Sequence, residues 1–396
     1  MPTRTHWGAV LVLLIAGVVV ALQIGKAAIA VPVLQRELAL TLVVASWIIG
    51  AYGMLGAVGG LPAGIVASLF GARRALIVGL VTAGLGSLAG AFVESGSMMI
   101  ATRVIEGCGF LAATLAIPRL LRAVTAPKDL DTVLPLFGAY LPLGSVIMML
   151  AGPQAMAFGW QTLWVINAAV ALIWALVIGG LRIAEPVPSQ HPGRALIPNI
   201  RTALGSPGPI LLALAFGFYT FQFMAMAGLL PTLLVERRGL SIAAAGMVGA
   251  AAVLANVVGN MSAGALLRLR VPTWVIAASA FTFMGLASLG IFADAVPVAV
   301  VAVLAALSLG LTGLIPGSIY AAAPKLAPTS ALLAIVLGLI NQTTNICNLL
   351  GPAAMAWLVD TQGWSRAPLL FVSVAIAGVT VALALRSVSR RAGVAN

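Results

Sequence analysis

The sequence predicts an all-α membrane protein, and three observations carry that prediction: 62% of its 396 residues are hydrophobic, only 8% are charged, and the mean hydropathy is +1.14. Soluble domains hold roughly 45–50% apolar and about 25% charged residues. A bilayer core about 30 Å thick takes about 20 apolar residues per helix. Breaks marked by charge, proline or glycine then delimit twelve spans, at 7–32, 42–67, 74–94, 98–120, 131–156, 160–182, 206–234, 241–267, 273–293, 296–321, 331–358 and 367–387. The expected architecture is twelve transmembrane helices in two pseudo-symmetric six-helix bundles, with no stretch left for a soluble domain.

Span 1 starts near Trp7. It is too long for a signal-peptide core and carries no small-residue cleavage site, so it reads as the first helix of the mature protein. After span 6 comes the longest polar connection, 183–205, with Pro186, Pro188, Pro192 and Pro198 around Arg194 and Arg201. Such a stretch is a semi-rigid spacer. It divides the chain into an N-terminal bundle (1–182), a cytoplasmic linker (183–205) and a C-terminal bundle (206–396).

Orientation follows from the cations. With the N-terminus in the cytoplasm, the inner side collects 15 of them: Arg4, Arg73, Arg74, Arg119, Arg122, Lys128, Arg182, Arg194, Arg201, Arg268, Arg270, Lys325, Arg386, Arg390 and Arg391. The outer side collects four, Arg36, Arg237, Arg238 and Arg366. The positive-inside rule then places both termini in the cytoplasm of a bacterial inner-membrane protein. The net charge of +12 therefore expresses topology, not a nucleic-acid-binding face. Cys108 and Cys347 lie inside apolar segments, and His6 and His191 lie in polar termini or loops. That pattern calls for no disulfide framework, metal centre or cofactor.

The halves echo each other. Gly64 through Ser68 closes span 2 before Arg73 and Arg74, and Gly264 through Arg268 closes span 8 before Arg270. Gly138, Gly152-Pro153 and Gly159-Trp160 follow one another through span 5, as Gly338, Gly351-Pro352 and Gly363-Trp364 do through span 11. Internal repeats of this kind build transporter folds around a site near the midplane.

The loop from Gly64 to Arg74, with Gly64, Gly71, Arg73 and Arg74 in place, resembles the signature loop between the second and third helices of the major facilitator superfamily. It departs at the acidic position, which is Ser68. Arg103, Gly107 and Gly109 match the Arg-x-x-x-Gly-x-Gly pattern of that family's fourth helix. The Gly25-Lys26 pair, the Arg103/Glu106/Gly107 cluster and the Asn- and Gln-rich span 11 are also similar to cyanate- and nitrate-type permeases. The resemblance implies secondary active transport by alternating access, and a conformational role for Gly64, Ser68, Gly71, Arg73 and Arg74.

Lys26 stands about 28 Å along span 1 at 1.5 Å per residue, in the outer half of the membrane. A lysine at the bilayer centre costs about 2.5–3.5 kcal/mol. Three readings are open: it snorkels to the interface, it pairs structurally, or it anchors an anionic substrate. Arg103 and Glu106, three residues apart, share a helical face. Eight of the nine acidic residues map to connections or span ends, which leaves Glu106 as the membrane-embedded carboxylate. It is either a proton-coupling group or half of a static pair with Arg103. Tyr140, Tyr219, Gln222, Tyr320, Asn341, Gln342 and Asn345 complete the substrate-binding candidates. The competing reading for the neutral amides is interhelical hydrogen bonding, worth about 0.6 kcal/mol each. Met224 and Met226 read as packing, not as a soft-metal site.

The preferred expectation is a monomeric, non-enzymatic secondary transporter for a small organic or inorganic anion, proton-coupled if Glu106 titrates. Its partners are the small-molecule substrate and the lipid bilayer, with no nucleic acid. The alternatives are a multidrug or metabolite efflux pump, and a membrane-embedded enzyme or sensor that would need a catalytic cluster the sequence lacks.

Overall fold

The computed structural model describes residues 4–58, 71–181, 201–329 and 332–391, and among them there is helix and no strand. The chain divides into two compact units, Met1–His191 and Pro192–Asn396. The first holds α1 (Trp7–Glu37), α2 (Leu42–Gly50), α3 (Ala72–Gly90), α4 (Gly96–Val124), α5 (Leu130–Gly138), α6 (Tyr140–Met156) and α7 (Trp160–Gly180). The second holds α8 (Pro207–Arg238), α9 (Ile242–Arg268), α10 (Thr273–Ile291), α11 (Val298–Thr312), α12 (Leu314–Leu326), α13 (Leu333–Gln362) and α14 (Ala367–Arg391).

Among the described residues nine helices are long and apolar enough to cross a membrane, with α11 and α12 taken together, and a tenth if the bent pair Thr132–Gly138 and Tyr140–Met156 is one span. The shorter apolar helix Leu42–Val58 and the 30-residue α13 lie where spans 2 and 11 are expected, which is consistent with six segments per unit. Two expected continuous spans are broken instead. Span 5 breaks at Ala139, and span 10 breaks at Gly313 and continues to Leu326, past the expected end at 321. Span 1 runs through Pro32 to Glu37, because a membrane helix tolerates proline where its neighbours satisfy the freed carbonyl. Gly59, Gly60, Gly64 and Ser68, and residues 183–200 of the linker, lie outside the described residues.

Local chemistry sets several of the helix ends. The hydroxyls of Thr41, Ser95 and Ser241 accept from the backbone N–H of Val44, Met98 and Ala244 and start α2, α4 and α9. The repeated Gly-Trp pairs are turns: Gly159 (φ +94°) and Gly363 (φ +80°) both adopt the conformation that favours glycine, and Trp160 and Trp364 behind them are buried.

Each unit packs in the same pattern. In the first, α1 lies against α6, α3 against α7, and α4 against the Ala51–Gly53 turn after α2. In the second, α8 lies against α13, α10 against α14, and α9 against α11. Glycines set the closest of these approaches. A Cβ on Gly107 would overlap the carbonyl of Tyr52, one on Gly313 that of Asn256, and one on Gly351 that of Phe221. In hydrocarbon, where van der Waals contact drives association, such small-residue contacts hold helices together. Large apolar side chains such as Val78, Leu85, Leu176, Leu286 and Ile376 stay exposed on the helix faces, as hydrocarbon contact allows.

Candidate functional site

Five helical segments of the first unit converge on Lys26. Gly25 beside it lets α1 approach the Gly144–Ser145 backbone of α6, where a Cβ would lie 2.7 Å from the Cα of Ser145. Lys26 is fully buried, and its Nζ donates to Gln23 Oε1 at 2.6 Å, Ser87 Oγ at 2.6 Å and Glu106 Oε1 at 3.0 Å. The ammonium also stands 4.7 Å from the centroid of the Trp164 ring, within cation–π range. Arg103 Nη1 donates to the other carboxylate oxygen of Glu106, so the two cations clamp one carboxylate. Arg103 Nε donates to the carbonyl of Ile48 at 2.9 Å, which ties α4 to α2. Around them, Ser87 Oγ donates to Trp164 O at 2.7 Å and Gln23 Nε2 donates to Asn167 O at 3.3 Å.

Counted in their ordinary ionised forms, two cations and one carboxylate leave one positive charge inside an apolar bundle. Burying charge costs several kcal/mol per ion and is offset only when partners are close and complete. Here they are not all complete. Arg103 Nη2, the Tyr52 hydroxyl and Trp164 Nε1 are buried without a hydrogen-bond partner among the described residues. The Arg103 guanidinium lies 6.0 Å from the Tyr52 ring centroid, and Tyr52 leads through Phe110 (5.5 Å) to Tyr140 (6.3 Å).

Of the first-half candidates, the structure thus brings Lys26, Arg103 and Glu106 into contact and links Tyr140 to them through aromatic rings. Lys26 does not reach the interface, so the snorkelling reading is corrected: the carboxylate and hydroxyl within 3.0 Å hold the ammonium inside the unit. Gly71 (φ +80°) precedes α3, and Arg73 Nη2 donates to Gly179 O at 2.5 Å, placing a cation on the C-terminal carbonyls of α7. Arg74 is exposed.

Among the described residues, the buried polar side chains of the second unit are neutral. Tyr219 donates to Asn256 Oδ1 at 3.2 Å, and Gln222 Nε2 donates to Phe371 O at 2.9 Å, the counterpart of Gln23 reaching Asn167 O. Tyr320 is 47% exposed and meets Phe216. In α13, Asn345 donates to Asn341 O of its own helix, Asn341 is exposed, and Gln342 is half-buried. Met224 and Met226 are buried, and among the described residues there is no group of three or more His, Cys, Asp or Glu suited to a metal ion. Sequence reasoning missed Gln23, Ser87 and Trp164. The signal for Gln23 was its i, i+3 spacing to Lys26; nothing in the sequence joins Ser87 or Trp164 to that lysine.

A family model described as Major Facilitator Superfamily matches residues 13–345. The chain belongs to the Major Facilitator Superfamily. Among its relatives are the puromycin resistance protein pur8 of Streptomyces alboniger, 30% identical over 54% of this chain and 42% of that protein, and the hexuronate transporter of Bacillus subtilis (strain 168), 25% identical over 59% and 57%. The 3-(3-hydroxy-phenyl)propionate transporter of Escherichia coli (strain K12) is 28% identical over 54% of each chain. The chain spans about half the length of these curated relatives. Solved structures with the same fold include the nucleoside transporter NupG (TM-score 0.79, 15% identity, 96% of this chain and 99% of that one). A bacterial homolog of the human lysosomal transporter Spinster, inward-facing and occupied, is a second (TM-score 0.75, 13% identity, 100% and 98%). The superfamily fold and the apolar helices make this a multi-pass membrane protein.

Proposed function

We propose that this superfamily member is a secondary active transporter of the bacterial inner membrane that moves a small anion, organic or inorganic, by alternating access. The observation that carries the reading is the Lys26–Glu106–Arg103 cluster itself, two basic side chains on one buried carboxylate, flanked by Arg103 Nη2 and the Tyr52 hydroxyl, which have no hydrogen-bond partner among the described residues. An uncompensated cation in a low-dielectric interior favours an anion far more than it would in water. Two buried donors without a partner beside it match the oxygens of a carboxylate or oxyanion.

Glu106 is the coupling group in this reading. Protonating it removes the negative charge that Lys26 and Arg103 share and frees both for the substrate. Uptake of a panel of radiolabelled small anions into proteoliposomes, with and without a proton gradient, tests the scheme. Lys26→Ala is expected to abolish anion uptake, and Glu106→Gln to remove its dependence on the gradient. Unchanged rates in both variants would remove the assignment.

A second reading, efflux of lipophilic or cationic compounds, is favoured by the 30% identity to the puromycin resistance protein. It requires that Lys26→Ala still exports such a compound from loaded vesicles at the wild-type rate.

A further inference from the structure

Helix α14 packs along α10 in a register that glycine sets. A Cβ on Gly378 would lie 2.6 Å from Cγ of Phe281, and one on Gly285 would lie 2.8 Å from Cβ of Ala375, so the two helices run antiparallel in close contact. Followed to its end, the same register brings Arg386 of α14 over Trp274 of α10, with the guanidinium carbon 4.8 Å from the ring centroid. Both side chains are half-buried, and Arg386 Nε has no hydrogen-bond partner among the described residues. Arg390 stands one turn further along the same face and is exposed.

The unit supplies these arginines with no carboxylate. Its acidic residues are Glu236, Asp294 and Asp360, and all three gather at the other end of α14. Glu236 accepts from Trp364 Nε1 at 3.0 Å, and Asp360 lies in the last turn of α13, just before Trp364. Asp294 pairs with Arg237 and follows Phe292, whose ring stacks on Trp364 at 6.3 Å. From Ala367, where α14 starts, to Arg386 is about 28 Å at 1.5 Å per residue. Among the described residues neither Arg386 nor Arg390 takes part in an ion pair.

The face of α14 that leads to this end is apolar. Leu369, Ile376 and Leu383 are 52%, 63% and 48% exposed and recur every seven residues, close to two helical turns, so they form one stripe, and Arg390 is its next member. Exposed leucine and isoleucine on a membrane helix meet acyl chains as apolar as themselves. The stripe ends in one cation, with a second, ring-backed cation a turn before it, and tryptophan beside arginine marks the headgroup layer. The cation bias predicts that this end faces the cytoplasm, the side on which basic clusters between membrane helices take anionic headgroups. Reaching for water accounts for Arg390. It does not account for Arg386, which is set against a ring that attracts the guanidinium but offers its five N–H donors no acceptor.

We propose that the Trp274–Arg386–Arg390 corner binds the phosphate of an anionic phospholipid, with an acyl chain along the Leu369–Ile376–Leu383 stripe. Arg386, backed by the ring, and Arg390 supply charge-assisted donors to the phosphate oxygens. The site lies within the second unit and is independent of the anion reading of the first.

Native mass spectrometry of the full chain, released from detergent containing phosphatidylglycerol or phosphatidylcholine with the same acyl chains, tests it. The wild type is expected to retain phosphatidylglycerol over phosphatidylcholine. Arg386→Gln and Arg390→Gln are each expected to weaken phosphatidylglycerol binding about fivefold, and together about thirtyfold. Trp274→Leu, which leaves the charge unchanged, is expected to weaken it about threefold. Arg268→Gln with Arg270→Gln removes the same charge from two exposed arginines at the end of α9 and is expected to leave binding at the wild-type level. Thermal midpoints equal to the wild type's in lipid-free detergent show that each variant folds. Equal retention of the two lipids by the wild type, or equal losses from the α9 pair and the α14 pair, would overturn the proposal. So would displacement of the lipid by equimolar inorganic phosphate, which would make the corner an anion site with no role for the stripe.

Discussion

Glu106 is the residue on which the charge arrangement of the first unit turns, because it touches both Lys26 and Arg103. Neutralising it leaves two buried cations facing each other, whereas removing the Lys26 ammonium leaves a neutral Arg103–Glu106 pair. Breaking a buried pair so that a charge stands alone costs about 3–5 kcal/mol. Glu106→Gln is therefore expected to lower the thermal unfolding midpoint of the purified protein well below that of Lys26→Met, whose fold should survive. The reverse order would show that the carboxylate is not the keystone of the cluster. At this scale Lys26, Arg103 and Glu106 were legible because an ionised residue in an apolar run is conspicuous. Ser87 and Trp164 were not, since a lone serine or tryptophan in a membrane span is ordinary and only the approach of α3 and α7 brings them to the ammonium.

Between elements, glycine sets how closely helices approach. Gly107 faces the backbone of Tyr52 and Gly313 that of Asn256, equivalent contacts in the two units. An added methyl at either position has no flexible side chain to push aside and must displace a helix, so overpacking of about 1–3 kcal/mol is expected for Gly107→Ala and for Gly313→Ala. Gly180→Ala is the control: nothing lies within 4 Å of its Cβ position, and its thermal midpoint should match or slightly exceed the wild type's. Similar losses at Gly107 and Gly180 would refute the close-approach argument. Existence and order of most helices were readable from apolar run length. The breaks at Ala139 and Gly313 were not, because hydropathy is continuous across both and the interruption is a matter of backbone direction.

For the whole molecule, the cation bias predicts that both termini lie in the cytoplasm. Fusing a fluorescent protein to the C-terminus should give a bright reporter, and fusing alkaline phosphatase there an inactive one. The opposite result would invert every loop assignment and with it the side from which α1 and α8 enter the membrane. The likeness between the two units extends from shared helix pairings to single hydrogen bonds, as with Gln23 and Gln222 each reaching a backbone carbonyl of the last helix of its unit. It stops at the charges. Lys26, Arg103 and Glu106 belong to the first unit, and among the described residues the buried polar side chains of the second are neutral.

The sequence by itself determined the solvent, the helical class, the repeat and the identity of the embedded charges, since each depends on composition or spacing along the chain. Tertiary structure alone decided which groups those charges meet and that both cations share one carboxylate. Those facts depend on distances between segments separated by 60 to more than 100 residues, and hydrophobic periodicity carries no record of such distances.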